Sequence, residues 1–488
     1  MRNGLSIFLF FLSAAYAGQP APLVFTHVTI IDATGQPALP DRNVVVVGDR
    51  IQAIGIGSKF RAPRHARIVN AAGKFTIPGL WDMHVHLRGG PDLIADNESS
   101  LTMFVANGIV GVRDMGGDLA PTVFKWRAEI ANGTRLGPRI VSAGRKIEDR
   151  VPSWQGSYAV GDPDSARRAV RELKSMGADF VKIYSTMFSH ETFAAVMDEA
   201  KRQNLTVVGH LPLMTHSVRD CIDAGVKSIE HLEFHVLPGC SRSERQLLGF
   251  GIQLLFAQAE TFDPEWANDL IRRMVDHEVF VTPTLAAVAQ AMELGLVDYS
   301  QHPQRKYIFP GMWRSWDPIL GVRAPARASD LDVWQRIHER GRVLLKMLQA
   351  GGVGLLAGSD CGVSNNYTFP GWILHRELEL FVEAGLTPMQ ALQAATRNPA
   401  RFLGELDRTG TVEPGKIANL LLLTANPLDD IRNTQRIDSV VLRGKLLTRS
   451  DLDQLLQTIE NAAAKKSQSI RPGDSFQRLS GTIRASGT

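Results

Sequence analysis

Short apolar runs alternating with amphipathic stretches dominate the middle of the chain. Eight of the runs read as β-strands, at about 76–86, 109–114, 139–143, 180–185, 205–210, 226–231, 279–284 and 353–360. The segments between them have helical spacing: Ser165 to Met176 places Ala166, Ala169, Val170 and Leu173 on one face, and Glu191 to Arg202 does the same with Phe193, Val196 and Ala200. Thr387-Pro388-Met389-Gln390 opens a further helix with a cap, a proline at the first position and a glutamine at the third. Strands alternating with helices predict parallel strands joined by crossover helices, and eight such units are what a (β/α)8 barrel needs.

The two ends of the chain read differently. Residues 23 to 79 and 405 to 446 carry short β-branched or aliphatic runs, such as Phe25 to Ile31, Val44 to Val47, Ala418 to Leu423 and Ser439 to Leu442. Turn signals such as Ala33-Thr34-Gly35, Gly48-Asp49 and Glu413-Pro414-Gly415-Lys416 separate them, and no long helix intervenes. The expected fold is therefore α/β: a TIM barrel over 76–404, with a small composite β-sandwich domain formed by both chain ends, 18–75 and 405–450. The stretch from about 286 to 330 is longer than a barrel requires, and insertions of that kind form lids or contacts in a homo-oligomer. Residues 451–488 predict a helix that passes into a disordered polar tail.

A chain of 488 residues accommodates a barrel and an accessory sheet, and 44% hydrophobic with 21% charged residues excludes a largely disordered protein. The net charge of +4 is spread over 54 basic and 50 acidic residues with no Lys/Arg-rich block, which argues against a nucleic-acid partner. Met1-Arg2-Asn3, an apolar run from Leu5 to Ala15 and the ending Ala15-Tyr16-Ala17 match a secretory signal peptide over 1–17. The expected protein is exported, periplasmic or secreted, with no membrane association after cleavage. Three cysteines, Cys221, Cys240 and Cys361, are too few and too scattered for a disulfide framework. Cys361 beside Asp360 reads as a free thiol near a site.

The chemistry lies at the strand ends. His84 and His86 end the first strand, Lys182 lies in the fourth, His210 ends the fifth, His231 the sixth and Asp360 the eighth. Residues two apart on a strand share a face, so both histidines of His84-Val85-His86 can reach one ion. Imidazole and carboxylate together suit zinc and its first-row neighbours, and in a barrel the carboxyl ends of the strands converge on the axis. A plain ammonium cannot ligate a metal, so Lys182 is either a structural neighbour or a lysine carboxylated by carbon dioxide to a bridging carbamate. Asp360 is read as a ligand and as the catalytic proton shuttle, with a purely ligating role as the alternative.

These segments resemble the amidohydrolase superfamily and, within it, the imidazolonepropionase-like and Xaa-Pro dipeptidase-like group. The resemblance covers about residues 23 to 450 and rests on Ile77-Pro78-Gly79-Leu80-Trp81-Asp82-Met83-His84-Val85-His86, Val112-Arg113-Asp114-Met115-Gly116-Gly117, Gly177-Ala178-Asp179-Phe180-Val181-Lys182-Ile183-Tyr184, Ser228-Ile229-Glu230-His231, Ala357-Gly358-Ser359-Asp360 and Glu413-Pro414-Gly415-Lys416-Ile417-Ala418. It implies two divalent metal ions of the zinc type, bridged by an N6-carboxylated Lys182 and held with His84, His86, His210, His231 and Asp360. Two departures stand out: Asn419 replaces an aspartate common in the family, and Gly209-His210-Leu211-Pro212 replaces the more usual His-Ala-His type of ending.

The function expected is an exported metal-dependent amidohydrolase that cleaves a C–N amide bond of a small-molecule substrate, a dipeptide or an N-acyl amino acid. Cyclic amide, lactone or phosphoester hydrolysis is the alternative on the same site. A non-catalytic barrel would have lost ligands, whereas the full set stands, and a nucleobase deaminase typically works with one metal and has no need of the lysine. Tyr184, Arg113 and His235 are candidate substrate contacts, with Arg145 and His375 as further loop candidates. For Arg113 the preferred reading is a salt bridge to Asp114 that shapes the barrel mouth, and Glu230 is read as a packing or hydrogen-bonding partner. Trp313-Arg314-Ser315-Trp316 reads as a loop, either a lid over an acyl group or packed on the barrel.

Overall fold

The parallel strands expected from the alternating pattern form two neighbouring sheets in the computed structural model, which describes residues 21–57, 60–185, 187–246, 251–293, 296–316, 328–362 and 367–469. The signal-peptide and tail readings lie outside these residues. The eight core strands are Leu80–His86, Ile109–Asp114, Arg139–Ser142, Phe180–Tyr184, Thr206–His210, Ser228–Glu230, Phe280–Thr282 and Gly354–Leu355, and hydrogen-bonded neighbours among them run parallel. The first three belong to a four-stranded sheet with Cys361–Gly362, the rest to a seven-stranded sheet.

Hydrogen bonds cross both seams between these sheets. The Asp179 amide donates to Ser142 O at 2.9 Å on one side. On the other, Leu356 N donates to Val281 O at 2.9 Å, Met83 N to Ala357 O at 2.8 Å and Asp360 N to His84 O at 2.8 Å. The run 353–360, expected as one strand, is thus a short strand followed by an irregular stretch that bonds to both flanking strands. Two further short strands, Ile147–Glu148 and Tyr158–Ala159, follow the third core strand and were not visible in the pattern. Capping explains where helices begin: Asp162 and Thr387 each form a capping box, before Pro163–Met176 and Pro388–Ala394.

Both chain ends meet in one eight-stranded sheet. Its order is Lys445–Thr448, Ile437–Leu442, Leu420–Leu423, Phe75–Pro78, Leu23–Ile30, Leu39–Val47 and Arg50–Ile56, with Arg67–Asn70 also paired to Leu23–Ile30. Alternation along Leu420–Leu423 shows how it is seated: Leu420 and Leu422 join a small core with Phe25, Val28 and Val44, while Leu421 and Leu423 join the large core with Ile77. Asn419 fills the acceptor role open to an aspartate, since its Oδ1 takes the Arg443 amide at 2.7 Å.

The run 76–86 is two strands in two sheets. Phe75–Pro78 pairs with Leu420–Leu423, and Leu80–His86 enters the four-stranded sheet. The break falls at Gly79, where a Cβ would lie 2.5 Å from the Val110 side chain. The insertion contains helices Leu285–Glu293 and Pro310–Trp316. The Trp313–Trp316 segment is therefore helical rather than a loop. Trp316 is buried against Phe369 and donates its indole N–H to Gly362 O at 2.7 Å. The C-terminal helix Arg449–Ser469 contributes Ile459 and Ala463 to the same cluster.

Candidate active site

Each core strand delivers its last side chains to one end of the sheets, and there the histidines gather. His84 and His86 ring centres lie 5.3 Å apart, His84 and His231 4.8 Å, and His210 and His231 4.6 Å. The Asp360 Oδ1 is 3.4 Å from His84 Nε2 and 3.3 Å from His86 Nε2. His231 and Asp360 hold φ values of 64° and 52°. Such left-handed backbone is costly for residues with a Cβ and persists where surrounding contacts over-determine it.

The imidazoles are oriented from behind. His84 Nδ1 bonds to Glu230 Oε2 at 2.8 Å, His231 Nδ1 to Thr284 Oγ1 at 2.7 Å, and His86 Nδ1 to Gly116 O at 3.3 Å. This leaves the Nε2 atoms of His84 and His86 toward Asp360, and His84 Nε2 has no hydrogen-bond partner among the described residues. Burial, more than any neighbouring charge, pushes all four histidines below their ordinary pKa, so they are neutral and able to ligate near neutral pH. Burial works against the Asp360 carboxylate, but the His86 hydrogen bond and the nearby His84 and His231 hold it well below the usual range.

Lys182 is fully buried, and its Nζ has no hydrogen-bond partner among the described residues. Its stem passes Gly209, where a Cβ would come within 2.9 Å of the lysine Cδ. Burial first, then the charges of Arg113 and Arg88, push the ammonium down to about 7, against the pull of Glu230 and Asp360. A neutral amine is the form that adds carbon dioxide. One ligand atom each from His84, His231 and Asp360 lies within 4.8 Å of the others, so these donors fit a metal ion.

Glu230 is the hydrogen-bonding partner expected, and it is the hub beneath the cluster. It accepts from Arg113 Nη2 at 2.8 Å and from Ser228 Oγ at 2.6 Å besides holding His84. Burial would raise its pKa, but the Arg113 charge and the His84 bond reverse this and keep it ionised. Glu230→Gln removes the counter-charge of a fully buried arginine and is expected to destabilise the fold by about 3–5 kcal/mol in denaturant unfolding. A loss under about 1 kcal/mol would show that the pair contributes little.

Arg113 does not take the places expected of it. It is 0% exposed, bonds to Glu230, Met83 O and Thr282, and does not line the cavity. Asp114 instead accepts from Ser142 Oγ at 2.6 Å and Leu87 N at 3.1 Å, so the Arg113–Asp114 salt bridge is not formed. His375 lies on helix Trp372–Glu383, bonded to Thr434 Oγ1 and Asn107 O, away from the site. Arg145 packs on the Tyr158 ring and donates to Gly156 O. Tyr184 and His235 do face the site: with His86, His210, His231 and Asp360 they line a cavity of about 210 Å³. Its remaining wall, Arg88, Lys146, Trp154 and Phe234, was not singled out from sequence. Arg88, two residues beyond His86 on the same strand-end path, carried the one local signal.

A model described as the amidohydrolase family matches residues 75–447. The chain belongs to that family. This amidohydrolase is 24% identical over 475 residues to an ochratoxinase of Aspergillus niger, covering 84% of this chain and 83% of that one. The solved ochratoxinase of A. niger superposes with a TM-score of 0.63 at 20% identity, covering 88% and 96% of the two chains. A Xaa-Pro dipeptidase with bound methionine superposes with a TM-score of 0.66 at 22% identity, covering 88% and 100%. Likenesses at that identity establish the shared α/β fold.

Proposed function

We propose that this amidohydrolase is a metal-dependent enzyme that cleaves a C–N amide bond of a small molecule, a dipeptide or an N-acyl amino acid. The observation that carries the reading is the juxtaposition of neutral, back-bonded histidines with the Asp360 carboxylate, beside a buried Lys182 amine that has no hydrogen-bond partner among the described residues. The names of the relatives agree with it: one is a dipeptidase and one an ochratoxinase. His84, His86, His210, His231, Asp360 and a carboxylated Lys182 would hold two ions of the zinc type. When bound, such ions polarise a carbonyl and lower the pKa of water.

The chain's own residues do the rest. Asp360 takes the proton of the attacking water and passes it to the leaving nitrogen. Glu230, Thr284 and the Gly116 carbonyl fix the imidazole tautomers. The two parallel sheets are read as one (β/α)8 barrel closed through the seam hydrogen bonds, and the end sheet as its composite β-domain.

Protein purified without chelator is expected to hydrolyse dipeptides or N-acyl amino acids, to lose that activity on chelation and to regain it with zinc. Activity confined to lactones, or amide hydrolysis indifferent to chelation, would overturn the reading. The Ala15-Tyr16-Ala17 ending supports export. Mature protein from the native host is expected to begin at or near Gly18, and intact Met1 in a cytoplasmic fraction would contradict it.

A further inference from the structure

One wall of the cavity is left unused by the hydrolytic chemistry. Lys146 and Arg88 lie on it with Trp154 and Tyr184. The Arg88 guanidinium carbon is 3.7 Å from the Trp154 ring centre, and the Lys146 ammonium is 4.6 Å from that centre and 5.1 Å from that of Tyr184. Lys146 is 1% exposed. Its Nζ has no hydrogen-bond partner among the described residues, and neither has the buried indole N–H of Trp154.

The acid closest in sequence does not satisfy the lysine. Glu148 is engaged by Ser153 N at 2.7 Å and Ser157 Oγ at 2.5 Å. Aromatic faces offset only part of the cost of burying an ammonium, and interiors rarely keep two such donors without a partner side by side. Burial, then the adjacent Arg88 charge, push the Lys146 ammonium down, and an arriving anion would restore its hold on the proton.

We infer that Lys146, with Arg88 beside it and the Trp154 indole N–H, is the receptor for a substrate carboxylate, so that the amide cleaved is one whose leaving group is an α-amino acid. A carboxylate supplies acceptors for both partnerless donors and a counter-charge for the Lys146 ammonium. An amide without it would leave the ammonium buried and unpaired. Sites built around a polar group reject analogues that lack it far more strongly than apolar pockets reject a missing methylene. The choice of scissile bond rests on the amide-hydrolase reading; the receptor rests on the wall itself.

The test pairs N-acetyl-phenylalanine with N-acetyl-phenethylamine, the same amide without the carboxylate, on the metal-loaded full-length enzyme. The acid is expected to be preferred in kcat/KM by on the order of a hundredfold or more. In Lys146→Met that preference is expected to fall at least about tenfold, and in Trp154→Phe by less. Calorimetry with 3-phenylpropanoate against 3-phenylpropanol supplies a readout that needs no turnover: the wild type should bind the carboxylate more tightly, and Lys146→Met should lose most of that difference. An unchanged preference in Lys146→Met, as when both amides slow equally, overturns the receptor, as does carboxylate binding that ignores the substitution. If both amides are hydrolysed without preference, the receptor falls and the hydrolase reading stands. If neither is hydrolysed but 3-phenylpropanoate binding depends on Lys146, the hydrolase reading falls and the receptor stands.

Discussion

Lys182→Ala is expected to lose turnover by about a thousandfold or more, because under the proposed reading a carboxylated Lys182 would help hold both ions, whose loss would forfeit several kcal/mol of barrier lowering. Elemental analysis should find close to two zinc-type ions per wild-type chain and a clear loss in the variant. A short carboxylic acid such as propionate, able to enter the space the side chain vacates, is expected to restore part of the activity. The expectation follows from a fully buried amine with no hydrogen-bond partner among the described residues, whose ammonium form burial disfavours. A wild-type content near one ion per chain with full activity would overturn the carbamate. An active alanine variant would do the same.

Asp360→Asn separates proton transfer from metal binding. The amide keeps the size of the carboxylate and one ligating oxygen but cannot accept the proton. Turnover is expected to fall by about a hundredfold to ten-thousandfold, the usual contribution of a positioned general acid/base. Metal content should fall far less. If the variant loses metal in proportion to activity, Asp360 acts as a ligand alone. If it keeps near-full turnover on an amide, the proton path runs elsewhere.

How much of this was legible without coordinates depended on whether a residue's role follows from its own strand. His84, His86, His210 and His231 each close an apolar run, so period-two alternation and strand-end placement suffice to bring them to one mouth. The pairing of Arg113 was not legible in that way. Its partner Glu230 lies 117 positions away, and nothing local distinguishes it from the adjacent Asp114. His375 was misplaced because a histidine on an amphipathic helix and one in a strand-end loop look alike until the helix is seated. Lys146 and Trp154 were missed for a related reason: the two short strands after the third core strand are too brief to leave a periodic signal. The break at Gly79 was hidden because both halves of 76–86 are buried and apolar, so the run reads as continuous.

Phe75–Pro78 leads through Gly79 into the strand that carries His84 and His86, yet its partner strand is Leu420–Leu423. Lys74 and Asp438, joined at 2.6 Å, are 364 positions apart in the chain. Every candidate ligand has therefore left the ribosome well before the strand that seats the first of them exists. Closure over such a separation is slow, and until it happens the nascent chain carries an apolar strand with an open edge. A ribosome-stalled chain ending before residue 420 should hold the whole ligand set yet stay protease-sensitive and chaperone-bound, so the last seventh or so of translation decides when the enzyme can become active.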